Sequence, residues 1–181
     1  MRCFIAAPCP AEIAEKLASA GNQLKGFGGL KLVRQENIHM TLKFLGEVSE
    51  EKVGQIAREL EFLTQQRRIN VTVKGLGAFP KSSHANVVWA GVEDPVGITE
   101  LQRAIDEHLK PLGSPPEERF HPHYTIARVK YAENREALAA AIKERNGEEY
   151  GSYTLGVIQL MESRLSPDGP AYRELQRYPL V

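Results

Sequence analysis

The chain has 181 residues, of which 42% are hydrophobic and 25% charged, and its 23 Lys and Arg balance its 23 Asp and Glu. This length can bury a substantial core. A formal net charge of zero excludes a protein that coats nucleic acid through a broad positive face, but it allows a local basic cleft. The N-terminus lacks the apolar stretch of a signal peptide, and no run approaches the roughly 18 apolar residues of a membrane span, so we expect a cytoplasmic protein without a membrane partner.

The apolar periodicity predicts strands and helices that are joined mostly by short turns. In chain order these are a strand over 2–7, a helix from Ile13 to Phe27, strands over 30–34 and 39–45, a helix capped by Ser49, strands over 69–79 and 86–92, a helix from Ile98 to Leu109, a strand over 124–129, a helix capped by Asn134, and strands over 153–165 and 171–178. Adjacent strands with short connections favour antiparallel sheets, so the predicted fold class is α+β. No linker interrupts the chain, and one domain over residues 1–181 is expected.

A short frame occurs twice, as HMTL at 39–42 and HYTI at 123–126. The chain contains only five histidines. At this composition, two of five falling in the same His-x-Thr-(Leu/Ile) frame by chance has odds on the order of a few in ten thousand. Because side chains alternate along a strand, each His shares a face with the Thr two residues later, and the apolar residues between them face a core.

Two such strands placed side by side would present two imidazoles and two hydroxyls to one cleft. This set suits phosphodiester chemistry without a metal, because His39 and His123 titrate near neutrality and can divide the roles of general acid and general base. The hydroxyls of Thr41 and Thr125 can donate hydrogen bonds to the non-bridging phosphate oxygens. The sequence therefore predicts His39 and His123 as catalytic residues and both threonines as phosphate-binding residues.

The longer stretches HMTLKFLG (39–46) and HPHYTIAR (121–128) resemble the signature motifs of the 2H phosphoesterase superfamily. They are most similar to its RNA 2′,3′-cyclic phosphodiesterase branch, also called the 2′-5′ RNA ligase family. The opening RCFIA (2–6), the spacing of the motifs and the length fit as well, so the resemblance spans the whole chain. It implies two lobes of antiparallel sheet with outer helices, related by a pseudo-two-fold axis, with the active site in the central cleft.

The resemblance also implies an activity, namely metal-independent hydrolysis of RNA-terminal 2′,3′-cyclic phosphate to a 2′-phosphomonoester, with reversible 2′-5′ RNA ligation as an accompanying reaction. The expected partner is an RNA end that carries the cyclic phosphate; no cofactor is implied, and we expect a monomer. In the family the first His is the proton donor and the second the acceptor, which would be His39 and His123; spacing alone does not assign these roles. Two alternatives stay open: activity on small cyclic nucleotides or ADP-ribose cyclic phosphate, and a non-catalytic RNA-end-binding module.

Three neighbours of the motifs are further candidates. Arg128 matches the Arg that follows the second motif and is expected to bind phosphate, although strict alternation turns it away from His123 unless the strand bends. Phe44, its counterpart in the first copy, is a candidate either for base stacking or for core packing. Lys43 shares the His39 face under strict alternation, so it is a candidate for phosphate contact or a solvated surface residue.

The histidine at 121 raises the alternative of a metal pair with His123. Pro122 forces the residue before it into an extended conformation, and His121 lies outside the repeated frame. Zinc normally takes three or four ligands, and no Asp or Glu lies beside either motif. We therefore expect a structural role for His121 and no metal site.

Overall fold

The computed structural model describes all residues, 1–181, and contains nine strands and four α-helices. The strands are β1 (Arg2–Pro8), β2 (Gly28–Leu32), β3 (His39–Glu47), β4 (Ile69–Lys81), β5 (His84–Val92), β6 (His123–Ala132), β7 (Glu149–Leu155), β8 (Val157–Ser166) and β9 (Gly169–Pro179). The helices are α1 (Ala11–Gln23), α2 (Glu50–Glu59), α3 (Val96–Leu109) and α4 (Arg135–Lys143). Every strand pair is antiparallel, which confirms the predicted α+β class.

The strands form two groups that meet at one point. Their order is β7-β4-β5-β6-β3-β1-β8-β9, with β2 added to the far half of β6. We call β3, β1, β8 and β9 the first lobe, and β6, β5, β4 and β7 the second lobe. The strand order is symmetric about the β6–β3 junction, where Met40 pairs with Tyr124. Each strand that carries a His-x-Thr motif, β3 or β6, is therefore the innermost strand of its lobe, as the pseudo-two-fold arrangement requires.

The helices pack against the buried faces of the sheets and begin where the sequence predicts. Ser49 Oγ accepts a hydrogen bond from Lys52 N (3.3 Å) at the start of α2, and Asn134 Oδ1 accepts one from Ala137 N (3.0 Å) at the start of α4. Both are side-chain N-caps that satisfy an otherwise unpaired backbone donor. No helix has the length and apolar character that crossing a bilayer requires.

The predicted strand over 153–165 is wrong as a single element. It consists of β7, which pairs with β4 in the second lobe, and β8, which pairs with β1 in the first lobe. Gly156 lies between them, where the chain crosses from one lobe to the other. Alternation could not reveal this break, because both strands have the same period of two and follow one another almost without a gap.

Candidate active site

A β-bulge interrupts the first motif strand directly after Thr41. Along the pairing of β3 with β1, Ala6 lies opposite Thr41 and Ile5 lies opposite Lys43, so Leu42 is an extra residue. Leu42 and Lys43 are consecutive and both buried, at 1% and 3% exposure. A bulge shifts the alternation of side chains by one residue. Lys43 and Phe44 therefore point to the opposite faces from those that strict alternation predicts.

The second motif strand has a bulge at the equivalent position. Along the pairing of β6 with β5, Trp89 lies opposite Thr125 and Val88 lies opposite Ala127, so Ile126 is the extra residue. Ile126 and Ala127 are consecutive and both buried, at 1% and 0% exposure. The two copies of the motif thus share a backbone irregularity as well as a sequence.

The bulges decide which residues reach the cleft between the lobes. They return Phe44 and Arg128 to the faces that carry His39 and His123, whereas they turn Lys43 away. A cleft of about 520 Å³ is lined by six of the predicted site residues: His39, Thr41, Phe44, His123, Thr125 and Arg128. Phe44 is 73% exposed, so it is not a core residue.

The predicted contact between Lys43 and a substrate phosphate is wrong. Lys43 is 3% exposed, forms an ion pair with the buried Asp106 and donates a hydrogen bond to the Pro115 carbonyl (2.6 Å). Strict alternation would place it beside His39, but the bulge at Leu42 directs its side chain towards α3 instead. Its charge is neutralised in the interior and does not reach the cleft.

The His39 imidazole is oriented by two hydrogen bonds. Its Nδ1 lies 2.7 Å from the Asn37 carbonyl and its Nε2 lies 2.9 Å from Thr41 Oγ1. Because a carbonyl can only accept, Nδ1 carries a hydrogen, and Nε2 of the neutral ring accepts from the Thr41 hydroxyl. Burial lowers the pKa of His39; the bond to Asn37 opposes this shift, and repulsion from His123 adds to it.

The His123 imidazole is held in the same tautomer. Its Nδ1–H donates to the carbonyl of His121 (2.6 Å), two residues earlier, just as His39 donates to Asn37. Nε2 is left without a protein partner. Burial lowers the pKa of His123; the carbonyl bond opposes the shift, and the His121 side chain adds to it. Both imidazoles therefore present Nε2 as the nitrogen that can exchange a proton with a substrate.

The cleft is basic although the chain as a whole is neutral. Its lining contains four cationic side chains and one carboxylate, Asp168. The cationic residues are Arg2, Lys31, Arg34 and Arg128. A concave surface lined by one sign of charge attracts ligands of the opposite sign. This local excess of positive charge forms the basic cleft that the neutral composition allows, and it suits an anionic substrate.

The LigT-like phosphoesterase family model matches the chain twice, over residues 7–89 and 91–172. The chain belongs to this family. Each match contains one His-x-Thr motif, so each half of the chain supplies one of the two motifs. The family assignment that the two motifs suggested is confirmed.

Curated relatives of this phosphoesterase are similar over nearly their whole length. A Methanocaldococcus jannaschii protein named RNA 2′,3′-cyclic phosphodiesterase is 37% identical over 178 residues, which cover 98% of this chain and 100% of the relative. An Archaeoglobus fulgidus protein of the same name is 37% identical over 176 residues, covering 97% of this chain and 98% of the relative.

Solved structures of the family have the same fold. A Thermus thermophilus protein superposes with a TM-score of 0.84 at 26% identity, covering 99% of this chain and 97% of that one. Escherichia coli LigT, crystallised with 3′-AMP, superposes with a TM-score of 0.80 at 27% identity and the same coverage.

The sequence did not identify the aromatic residues around His39. Phe4 stacks on the imidazole at a centroid distance of 5.1 Å, and Tyr172 meets it edge-on at 5.3 Å. Phe4 lies opposite Phe44 in the β1–β3 pairing, so a correct register would have placed it in the cleft. Tyr172 lies on β9, which is separated from β3 by two strands, and no local pattern connects it to the motif.

His121 lies two residues before His123 and orients that ring through its backbone carbonyl. Its carbonyl accepts the Nδ1–H of His123, and its exposed ring packs against Trp89 at a centroid distance of 4.7 Å. The cleft lining includes His123 but not His121. In this phosphoesterase no group of three or more His, Cys, Asp or Glu side chains is arranged to hold a metal ion.

Proposed function

We propose that this phosphoesterase hydrolyses the 2′,3′-cyclic phosphate at RNA ends to a 2′-phosphomonoester, and that it does so without a metal ion. The observation that carries the proposal is the matched pair of imidazoles, whose Nδ1 atoms are held by backbone carbonyls while both rings line one basic cleft. The names of relatives that match this chain over nearly its full length support the same activity.

The proposed reaction divides two proton transfers between the histidines. Nε2 of neutral His123 takes a proton from a water molecule as the water oxygen attacks phosphorus. The bond between phosphorus and the 3′ oxygen breaks, and Nε2–H of protonated His39 donates its proton to that oxygen. The products are a 2′-phosphate and a free 3′-hydroxyl, and a proton exchange with water restores both rings. The family resemblance supports this division of roles.

Phosphate recognition in this proposal falls to groups on both lobes. Protonated His39 no longer accepts a hydrogen bond at Nε2, so the Thr41 hydroxyl is free to donate elsewhere. The hydroxyls of Thr41 and Thr125 then donate hydrogen bonds to the non-bridging oxygens, where negative charge increases in the transition state. Arg128, placed in the cleft by the second bulge, supplies a positive charge for the same oxygens. Phe44 offers an exposed aromatic face on which the terminal base of an RNA strand can stack.

Product analysis on a defined substrate tests the proposal. An RNA oligonucleotide ending in 2′,3′-cyclic phosphate is incubated with purified protein in excess EDTA, and the 2′- and 3′-phosphate products are separated. We expect the 2′-phosphate to form in chelator with the wild type and to be nearly absent with His123→Asn. A 3′-phosphate product, or turnover that needs added zinc or manganese, would contradict the mechanism.

The same assay separates the proposed activity from its alternatives. Nucleoside 2′,3′-cyclic phosphates and ADP-ribose cyclic phosphate are compared with the oligonucleotide by kcat/KM. We expect the oligonucleotide to be the better substrate, because the basic lining extends beyond the groups around a single phosphate. Tight binding of the RNA end with no turnover of any substrate would instead identify a non-catalytic binding module.

A further inference from the structure

Tyr172 enters the cleft from the outermost strand of the first lobe. Its ring packs edge-on against His39, with centroids 5.3 Å apart and planes at 89°, and against Phe4 at 5.1 Å and 71°. The imidazole of His39 is thus enclosed by two aromatic rings. The Tyr172 side chain is part of the cleft lining. Two side-chain polar atoms of the protein are buried without a hydrogen-bond partner, Trp89 Nε1 and the Tyr150 hydroxyl oxygen, and the Tyr172 hydroxyl is not one of them. The hydroxyl is therefore accessible from the cleft.

The backbone around Tyr172 is tied to the same residue that orients His39. The side-chain amide of Asn37 donates to the Pro170 carbonyl (3.1 Å), two residues before Tyr172, and the Asn37 carbonyl accepts the Nδ1–H of His39. The Arg34 guanidinium donates a second hydrogen bond to this segment, at the Asp168 carbonyl (3.1 Å). These contacts fix the start of β9 relative to the imidazole, so the position of the ring does not depend on packing alone.

Arg128 of the other lobe lines the same cleft as Tyr172. Burial raises the pKa of Tyr172, and the nearby Arg128 guanidinium opposes part of that shift. The net shift is upward, so the phenol keeps its proton at neutral pH and acts as a hydrogen-bond donor. The donor lines the same cleft as the His39 imidazole and the Arg128 guanidinium, which are the groups that the proposed reaction places around the phosphate.

The second lobe has no tyrosine in the cleft lining. Its outermost strand is β7, and the hydroxyl of Tyr153 on that strand is hydrogen-bonded to the hydroxyl of Tyr124. On that side, Phe79 meets the His123 ring edge-on at 4.9 Å, and it has no polar group to offer. The two motifs are near copies, but the proposed reaction is not symmetric, because it breaks the bond from phosphorus to the 3′ oxygen and keeps the bond to the 2′ oxygen. Tyr172 is one of the features that make the site asymmetric.

We propose that Tyr172 is a further catalytic residue, whose hydroxyl donates a hydrogen bond to a non-bridging phosphate oxygen beside Arg128 and whose ring holds the His39 imidazole in place. This inference rests on the proposed hydrolysis of cyclic phosphate. It assigns two separable roles to one side chain. Removal of the hydroxyl alone affects transition-state stabilisation, whereas removal of the whole ring also changes the environment of His39.

Two substitutions at this position and one matched control test the proposal. Tyr172→Phe keeps the ring and removes the hydroxyl, Tyr172→Leu removes both, and Tyr131→Phe removes a hydroxyl from a tyrosine that is 60% exposed and lies outside the cleft. Single-turnover cleavage of the cyclic-phosphate RNA, Tm and the pH–rate profile are measured for each. We expect Tyr172→Phe to lose about 10- to 100-fold in rate with an unchanged Tm, and Tyr131→Phe to match the wild type.

The second variant separates the ring from the hydroxyl. We expect Tyr172→Leu to lose at least as much rate and to shift the His39 limb of the pH–rate profile upward, because burial by the ring contributes to the lowered pKa of that imidazole. In Tyr172→Phe that limb should stay in place. A limb that does not move in Tyr172→Leu would overturn the positioning role.

The outcomes distinguish this inference from the activity on which it rests. No cleavage by the wild type would refute the proposed function itself. Cleavage by the wild type with an equal rate in Tyr172→Phe would overturn the role of the hydroxyl and leave the hydrolase intact. If Tyr172→Phe lowered both rate and Tm, the single-turnover rate is measured per folded molecule well below the Tm. A rate per folded Tyr172→Phe molecule equal to that of the wild type overturns the proposal, and a lower rate supports it.

Discussion

Met40 and Tyr124 lie opposite each other and form the single aligned pair between β3 and β6. Both are fully buried, so their neighbours on each strand point to the opposite face, into the cleft. If the antiparallel register is continued by one residue in each direction, His39 comes opposite Thr125 and Thr41 comes opposite His123. This register would place each imidazole next to the hydroxyl of the other motif. One backbone contact thus assembles four polar groups from two distant parts of the chain.

The first prediction concerns the two imidazoles that this contact brings together. His39→Asn and His123→Asn should each lower kcat about 10²–10⁴-fold, because each removes one of the two proton carriers. The double variant should lose less than the product of the two losses, since residues that act as a unit are not additive. Single-turnover cleavage of a cyclic-phosphate-ended RNA measures all three variants.

His121 is the matched control for this prediction, because it is a histidine two residues from His123 whose ring lies outside the cleft lining. His121→Asn keeps the carbonyl that holds the His123 ring, so we expect a much smaller loss of rate. A loss as large as that of His123→Asn in a folded protein would show that the repeated frame had identified the wrong residue. A bell-shaped pH profile of kcat/KM is expected for the wild type and for His121→Asn, but not for the variants of His39 and His123.

The second prediction is a dependence of stability on pH. Burial lowers the pKa of both His39 and His123 below the value in the unfolded chain. Between the folded and unfolded pKa values, the unfolded state therefore binds more protons than the folded state. The stability contributed by the two neutral imidazoles is complete above the ordinary His pKa of about 6.5, and it is lost as the pH falls below that value. Urea unfolding at about pH 7.5 and about pH 5 should show a larger loss for the wild type than for the His39→Asn/His123→Asn variant. Equal losses would mean that neither imidazole is desolvated in the folded protein.

The third prediction concerns Phe44 and Arg128, which occupy equivalent positions after the two bulges. Arg128→Ala should raise KM or lower kcat for every cyclic phosphate, because it removes a charge from the phosphate site. Phe44→Ala should weaken binding of RNA by about 1–3 kcal/mol, the usual contribution of a base stacked on an aromatic ring. It should affect substrates without a base much less.

Thermal unfolding provides the control for both substitutions. Both side chains are exposed, so neither variant should change Tm appreciably. A large decrease in Tm together with normal activity per folded molecule would identify the residue as structural. Equal effects of Phe44→Ala on RNA and on a substrate without a base would exclude stacking.

The fold class and the placement of His39 and His123 in one cleft could be predicted from the sequence because both depend on local periodicity. The frame His-x-Thr keeps its polar residues on one face over three positions, and this face is correct in both strands. The prediction failed for Lys43 because one extra residue, Leu42, reverses the alternation just before it. A bulge depends on how two strands pair, and no residue type within β3 marks its position.

Other features of the site depend on contacts between distant segments and left no signal in the sequence. Tyr172 reaches His39 across two intervening strands, and the break at Gly156 is defined by partners in different lobes. The basic lining combines Arg2, Lys31 and Arg34, which are not adjacent to either motif. A neutral chain gives no indication of such a cluster, because composition contains no information about position.

The buried Lys43 belongs to a polar network that connects the first motif strand to the segment before the second. Asp106 on α3 accepts hydrogen bonds from Lys43 Nζ, from Gln102 Nε2 (2.8 Å) and from the backbone N–H of Glu117 (2.9 Å). Lys43, Gln102 and Asp106 are all nearly inaccessible to solvent. Every member of the network therefore depends on the others to satisfy its polar atoms.

The last prediction is that Lys43→Met destabilises the protein far more than removal of a surface ion pair does. The substitution leaves the Asp106 carboxylate buried without a cation, and breaking a buried pair in this way typically lowers the free energy of unfolding by about 3–5 kcal/mol. Lys74→Met is the matched control: Lys74 pairs with Glu93 at 2.8 Å, but Glu93 is 49% exposed, so solvent screens the pair and its removal should change the stability very little. Urea unfolding at neutral pH measures both. Similar small losses in the two variants would show that water reaches Asp106 once Lys43 is gone.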